Sequence, residues 1–387
     1  MPRPLHITQV VHDFHPVVGG IETYAFNLAK GLVDAGHTVK VFTTQLPNTP
    51  STENYHGIQI RRFRAIARPF NYPVLPGLLP ALLRDRVDIF HAHINSPLTV
   101  DIAATASQLT HIPLVITYHA DALMGDIAGK PPFFRIWMDQ MYQRARQRAA
   151  DIAQQLIVTS PMYRNSSLFL QDYLHKITVI PATINPYFLT SKLTVNQAKE
   201  SFGFHLTDLL LLFVGRLVPY KGLETLIHTF HRIHQQHPAT RLAIVGSGPL
   251  NSSLSQLSMD LGLDTAVHFL GVLPRRRLRD IYTACDIFVL PSRSRSEAFG
   301  IVQLEAMAQE KPVVTTSVGG VPYVVKNKTT GLVVPPQDSK ALEQALLRLI
   351  TNSALRKTFG RAGRKRVLDQ FTRKPTTQQL ETVYYKL

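Results

Sequence analysis

Short apolar runs alternate along the chain with longer stretches in which apolar residues recur every three to four positions. That is the pattern of a parallel sheet covered by helices on both faces. In the first half, strands are predicted over 7–11, 38–43, 58–61, 89–93, 114–118 and 156–159. Helices fall between them, notably over 21–35, 98–108 and 132–149. A further strand over 177–180 runs into Pro181, Asn185 and Pro186, a composition suited to an interdomain connection. The alternation then starts again. Strands are predicted over 209–214, 241–245, 267–269, 287–290 and 312–315, with helices over 223–236, 250–261 and 300–309. Two such sets in succession predict an α/β chain of two doubly wound, Rossmann-like domains facing a cleft, residues 1–185 and 186–371. Residues 372–387 form a last helix that packs across the junction and returns toward the first domain. Ligands of such sheets bind outside the carboxyl ends of the strands.

Composition narrows the class. With 387 residues, 45% hydrophobic and 18% charged, the chain is globular and too long for one ordinary core. The longest aliphatic stretch, over 209–214, is far below the roughly 20 residues that span a bilayer. The N-terminus has no apolar run of the kind a signal peptide carries. A single cysteine, Cys285, excludes an internal disulfide framework and suits a reducing compartment, so the expected address is cytoplasmic. The net charge of +16 admits nucleic acid, an anionic membrane surface or an anionic small substrate as partner. Basic residues thicken at Arg61, Arg62, Arg64 and Arg68, over 275–279 and over 356–374. No nucleic-acid-binding signature accompanies them, and no nucleic-acid partner is expected.

Four segments carry chemistry. In S-E-A-F-G-I-V-Q-L-E-A-M-A, over 296–308, the helix after Phe299 and Gly300 is apolar nearly all round from Ile301 onward. Glu305 lies inside it, and a buried carboxylate needs hydrogen-bond donors, which a ribose diol offers. Glu297 precedes the helix. A core helix with a snorkelling Glu is the plain alternative. In F-V-G-R-L-V-P-Y-K-G, over 213–222, Arg216 and Lys221 follow an apolar strand and suit a diphosphate, or are two solvated loop cations. In H-P-V-V-G-G-I-E-T, over 15–23, Gly19 and Gly20 admit a ligand close to the backbone before a helix N-terminus, or form a tight turn. In V-I-T-Y-H-A-D, His119 ends a strand, a place more often structural than catalytic. His91 and His93 repeat that position one strand earlier and are expected to share a face only if both line one ligand. No carboxylate or cysteine completes a metal set with them.

In order and over essentially the whole chain, these segments resemble the retaining glycosyltransferases of family 4, which have the GT-B fold. GGIET, ITYH, FVGRLVPYKG, IVGSGPL, FLGVLP, the spacing of Glu297 and Glu305, and GGVPYVVKNKTTGLVVPPQD carry the resemblance. It implies transfer of a hexosyl group from a nucleotide diphosphate sugar, with the acceptor on the first domain and the donor on the second. By the same resemblance Gly19 and Gly20 meet the donor phosphates, and Arg216 and Lys221 hold the diphosphate. Glu297 contacts the donor sugar or its phosphate neighbourhood, Glu305 holds the ribose, and His119 lies beside the sugar. Leu273 borders the base, and Phe299, Gly300 and Ile301 complete the donor-binding set. The chain departs from the pattern at Tyr323, where a Glu is common, in the linker IPATINPYF, and at Gln309-Glu310-Lys311.

Departure of a nucleotide diphosphate builds negative charge. No D-x-D cluster stands in a suitable place, so no metal and no cofactor are expected. Arg216, Lys221 and helix N-termini supply the stabilisation instead. The helix over 132–148 mixes Phe133, Phe134, Trp137 and Met138 with Arg135, Arg144, Arg146 and Arg148, as interfacial helices do, or packs against the core. A membrane lipid or lipid-linked glycan is accordingly an acceptor to test, with peripheral attachment to the inner face of the membrane. A GT-B sugar-nucleotide epimerase or phosphorylase, and a basic nucleic-acid-binding protein, are the alternatives.

Overall fold

A computed structural model of the chain describes residues 3–68, 72–94, 96–121 and 132–387, the side chains at 132–135, 137 and 138 excepted. It divides into two units, Met1–Ala182 with Arg373–Leu387, and Thr183–Thr372. The division lies just ahead of the Asn185–Pro186 connection predicted above.

In the first unit, β1 (His6–Val10), α1 (Gly20–Asp34), β2 (Thr38–Thr44), β3 (Thr52–Tyr55), β4 (Ile58–Phe63), α2 (Leu78–Leu83) and β5 (Ile89–Ile94) follow in turn. Then come α3 (Pro97–Thr110), β6 (Leu114–Tyr118), α4 (Pro132–Ile152), β7 (Gln155–Val158), α5 (Pro161–Ser166) and β8 (Ile177–Val179). The sheet order is β3-β4-β2-β1-β5-β6-β7-β8, parallel except where β3 runs against β4. Strands buried on both faces read as unbroken apolar runs, and β6 (LVITY) is buried at every position. α1 turns Tyr24, Ala25, Leu28, Ala29 and Leu32 inward, the stripe that a 3.6-residue period predicts. Each leucine so buried contributes about 1.5–3 kcal/mol.

The second unit holds α6 (Val195–Glu200), β9 (Leu209–Val214), α7 (Leu223–Gln236), β10 (Thr240–Val245), α8 (Asn251–Asp260), β11 (Val267–Gly271) and α9 (Arg275–Ala284). These are followed by β12 (Ile287–Leu290), α10 (Ile301–Ala308), β13 (Val313–Thr316), α11 (Val321–Val324), β14 (Gly331–Val334), α12 (Ser339–Ile350) and α13 (Ser353–Gln370). Its all-parallel order, β11-β10-β9-β12-β13-β14, reverses between β9 and β12. At that switch point the loops after neighbouring strands part and leave room for a ligand.

The last helix, α14 (Arg373–Tyr384), belongs to the first unit. It lies on α1, and Gly31 permits the approach, since a Cβ there would fall 2.1 Å from Thr377 Oγ1. His37 Nε2 to Glu381 (3.0 Å) and Arg373 to Asp34 (3.2 Å) add polar ties. Among the described residues no helix is long and apolar enough to cross a membrane.

Candidate functional site

In the second unit the chemistry gathers where β9 and β12 end. The chain leaves β9 through Gly215 and Arg216, then turns at Pro219–Lys221 into α7. Gly222 has φ 73°, and a Cβ on it would lie 2.1 Å from the Pro291 carbonyl oxygen. The loop after β9 is thereby pressed against the loop after β12. Gly222→Ala should cost about 2 kcal/mol or more, from left-handed strain plus overlap, read as a lowered urea midpoint. An unchanged midpoint would mean that this contact does not hold the two loops together.

That contact brings Lys221 to Glu297. Their Nζ and Oε2 atoms are 2.5 Å apart, and both residues are buried, at 8% exposure each. Burial alone would push the lysine down. The Glu297 carboxylate, with help from Tyr220, outweighs it, so Lys221 stays charged with its pKa above the ordinary value. Ser292 Oγ donates to the same carboxylate oxygen at 3.1 Å. An ammonium has three donors, of which one is taken up by Glu297 among the described residues. Arg216 is exposed and has no ion pair among the described residues. Of these three charges the pair cancels, and Arg216 carries the surplus.

Glu305 lies inside α10, as its spacing predicts, and is 9% exposed. The Tyr282 hydroxyl donates to its Oε2 at 2.8 Å. Burial raises its pKa to about 7, against the Tyr282 hydrogen bond and the Arg275 charge. Part of the need for a donor is thus met inside the protein. Gly300 caps α10 at φ 75°. Phe299 is buried against Tyr323 and Phe371, with ring centroids 6.4 and 6.0 Å away. Tyr323, one departure from the family pattern, therefore holds the entry to α10. Gln309 and Lys311, another departure, are likewise tied to Thr283, at 3.1 and 2.7 Å. Ile301 and Leu273 are half-buried, at the start of α10 and after β11.

Sequence reasoning assigned no role to Gly246 and Gly248, after β10. A Cβ at either would fall 1.9 or 2.3 Å from the carbonyl oxygen of Gly215 or Leu217. The G-S-G spacing was the available signal, and its function is to let two loop backbones touch beside Arg216.

In the first unit Gly19 caps α1 and Gly20 begins it, without a side-chain cap. Beside Gly19 sits the carboxyl of Glu22, also unassigned by the sequence reading, bonded to its own backbone N–H. Burial first, and Asp13 in addition, raise its pKa to about 7. His119 follows β6, at 8% exposure. His91 and His93 do share a face of β5 and stack at 4.7 Å, which corrects the expectation that a ligand is needed. Residues two apart on a strand point the same way regardless. No group of three metal-ligating residues is found among the described residues. Phe133, Phe134, Arg135, Trp137 and Met138, the core of the suggested interfacial helix, have side chains outside the described set. Arg146 is buried over the Phe169 ring, 3.8 Å from its centroid, and Arg148 binds the carboxylate of Asp101. Arg146 is thus committed to packing, while Arg148 sits in an exposed ion pair.

Two family models cover most of the chain: Glycosyltransferase Family 4 over residues 18–187 and Glycosyl transferases group 1 over residues 195–366. An uncharacterised glycosyltransferase of Methanocaldococcus jannaschii is 28% identical, over 98% of each chain. An O-antigen chain mannosyltransferase of Escherichia coli is 27% identical, over 95% of each. Among solved structures, a sucrose-phosphate synthase of Thermosynechococcus elongatus superposes with a TM-score of 0.79 at 25% identity, covering 99% of this chain and 98% of that one. The site geometry on two Rossmann-like units, the two family models and these likenesses agree: the chain belongs to the group 1, family 4 glycosyltransferases and has the GT-B fold.

Proposed function

We propose that the protein transfers a hexosyl group from a UDP- or GDP-sugar to an acceptor, with retention of configuration and without a metal ion. The observation that carries this reading is the buried Lys221–Glu297 pair at the switch point of the second sheet, with Glu305 on the helix that follows. Charge at that place suits a diphosphate leaving group. Lys221 and Arg216 meet the phosphates, preorganised by the protein fold, and no proton or metal has to move for them to do so. Glu305 offers acceptor oxygens to a ribose, and Glu297 fixes Lys221 while facing the sugar. Leu273 lies toward the base, and Phe299, Gly300 and Ile301 shape the donor pocket. Gly19, Gly20 and His119 of the first unit are assigned to the same reaction. The name of the Escherichia coli relative supports a hexosyl group and a glycan acceptor. The net charge of +16 supports an acceptor at an anionic surface, where each basic side chain contributes about 1 kcal/mol.

The test is a panel of UDP- and GDP-hexoses screened by thermal shift, then a transfer assay with the donor that binds. Activity is expected to persist unchanged in excess EDTA. Loss in chelator with recovery in Mg²⁺ or Mn²⁺ would remove the metal-free reading. Interconversion of the donor sugar with no acceptor present would replace transfer by epimerisation.

A further inference from the structure

Three imidazoles of the first unit form one column. His91 stacks on His93 at 4.7 Å with the rings 14° from parallel, and His93 stacks on His119 at 5.2 Å and 16°. The foot of the column is pinned. His91 Nδ1 is 2.6 Å from the Tyr384 hydroxyl of α14, and its Nε2 is 2.7 Å from Thr117 Oγ1. Tyr24 of α1 sets its ring edge against both His93 and His119, at 6.1 and 5.2 Å. Burial pushes the pKa of His91 and of His119 down to about 3, and that of His93 well below its usual value. Each ring is therefore neutral, with one donor nitrogen and one acceptor.

The Ile180 carbonyl only accepts, so the Tyr24 hydroxyl, 3.1 Å away, donates to it. At the foot, His91 lies between two hydroxyls, those of Tyr384 and Thr117, either of which can donate or accept. At the top, His93 Nδ1 and His119 Nε2 share one proton across 3.0 Å. His93 Nε2 is buried with no partner among the described residues. Were His119 the donor, that orphan would be an N–H, and buried unpaired N–H groups are rarer than unpaired acceptors. His93 therefore carries its proton on Nδ1 and donates.

We propose that His93 is a positioning residue that holds His119 in the tautomer protonated at Nδ1, so that His119 offers an N–H donor. His91 keeps the His93 ring in place, and Tyr384 anchors His91 from the C-terminal helix. The use of that N–H, as a hydrogen-bond donor to the transferred sugar, rests on the transfer reading above. A neutral imidazole with its lone pair already bonded at Nε2 orients the sugar and takes no proton from it.

Nitrogen NMR of the ¹⁵N-histidine-labelled full chain reads the tautomer without any substrate, with the His119 signals assigned by their loss in His119→Gln. The parent is expected to show a protonated Nδ1 and a bare Nε2 at neutral pH. His93→Phe keeps an aromatic ring beside His119 and removes the donor. It should mix the two tautomers and lower kcat ~10-fold or more, with the donor KM changed less than ~3-fold. His93→Asn, whose amide N–H can replace Nδ1–H, should restore the tautomer and most of kcat. A parent His119 protonated at Nε2 overturns the proposal, as does unchanged kcat in a folded His93→Phe with mixed tautomers. A parent that turns over no nucleotide sugar removes the transfer reading, while the resonances alone still decide the tautomer.

Discussion

Lys221→Ala is expected to lower turnover about 10²–10³-fold and to destabilise the protein by about 3–5 kcal/mol. Both effects follow from one contact. Removing the ammonium leaves the buried Glu297 carboxylate with the Ser292 hydroxyl as its one remaining side-chain partner among the described residues, and an uncompensated buried charge is costly. The pair itself need not be stabilising, because two ions are desolvated to form it. The double variant Lys221→Met with Glu297→Gln should therefore recover most of the lost stability while remaining inactive. Urea midpoints and initial transfer rates measured on all three proteins separate the two roles. Equal stability of the single and double variants would show that the pair does not govern the burial of Glu297. Parental rates in the double variant would show that neither charge serves the leaving group.

Glu305→Gln should move stability and donor binding in opposite directions. Burial raises the folded-state pKa of Glu305 from 4.5 to about 7, so between those values the folded chain keeps a proton that the unfolded chain has lost. An acid raised in this way contributes stability that is fully present below pH 4.5 and is lost as pH rises to 7. The loss amounts to ~3 kcal/mol at most. Glutamine does not ionise and still accepts from Tyr282. The variant should then be more stable than the parent at pH 8, by up to that amount, with the difference gone near pH 4. Donor binding should weaken about 10–100-fold, because a charged acceptor of hydroxyl donors is worth ~1.5–3 kcal/mol. In the parent, binding should tighten as pH rises through 7, as the carboxylate forms. Calorimetric titration with the bound nucleotide at pH 6 and 8, beside urea unfolding at pH 4 and 8, checks each sign. A variant that is less stable at pH 8, or that binds nucleotide as the parent does, would sink the assignment of Glu305.

The sequence alone was enough for the two parallel sheets, because strands buried on both faces announce themselves as unbroken apolar runs such as LLLLFV and IFVL. It was enough also for the buried setting of Glu305, since an all-apolar helix has no wet face on which to place a carboxylate. Two strands escaped it. β3, T-E-N-Y, is a polar edge strand with no apolar run to mark it, and β14 is four residues inside a loop-like segment. What only the tertiary structure decided was partnership. Lys221 and Glu297 are 76 positions apart and meet because the loops after β9 and β12 converge at the switch point. Tyr282 takes up one oxygen of Glu305, Tyr323 turns from an odd residue into the packing of α10, and Tyr384 returns in the last helix to close a column begun at His91. Periodicity along a chain reports which face of an element is buried. Which side chain stands opposite, and therefore which charge is neutralised and which imidazole nitrogen holds a proton, depends on elements distant in sequence that the fold alone brings together.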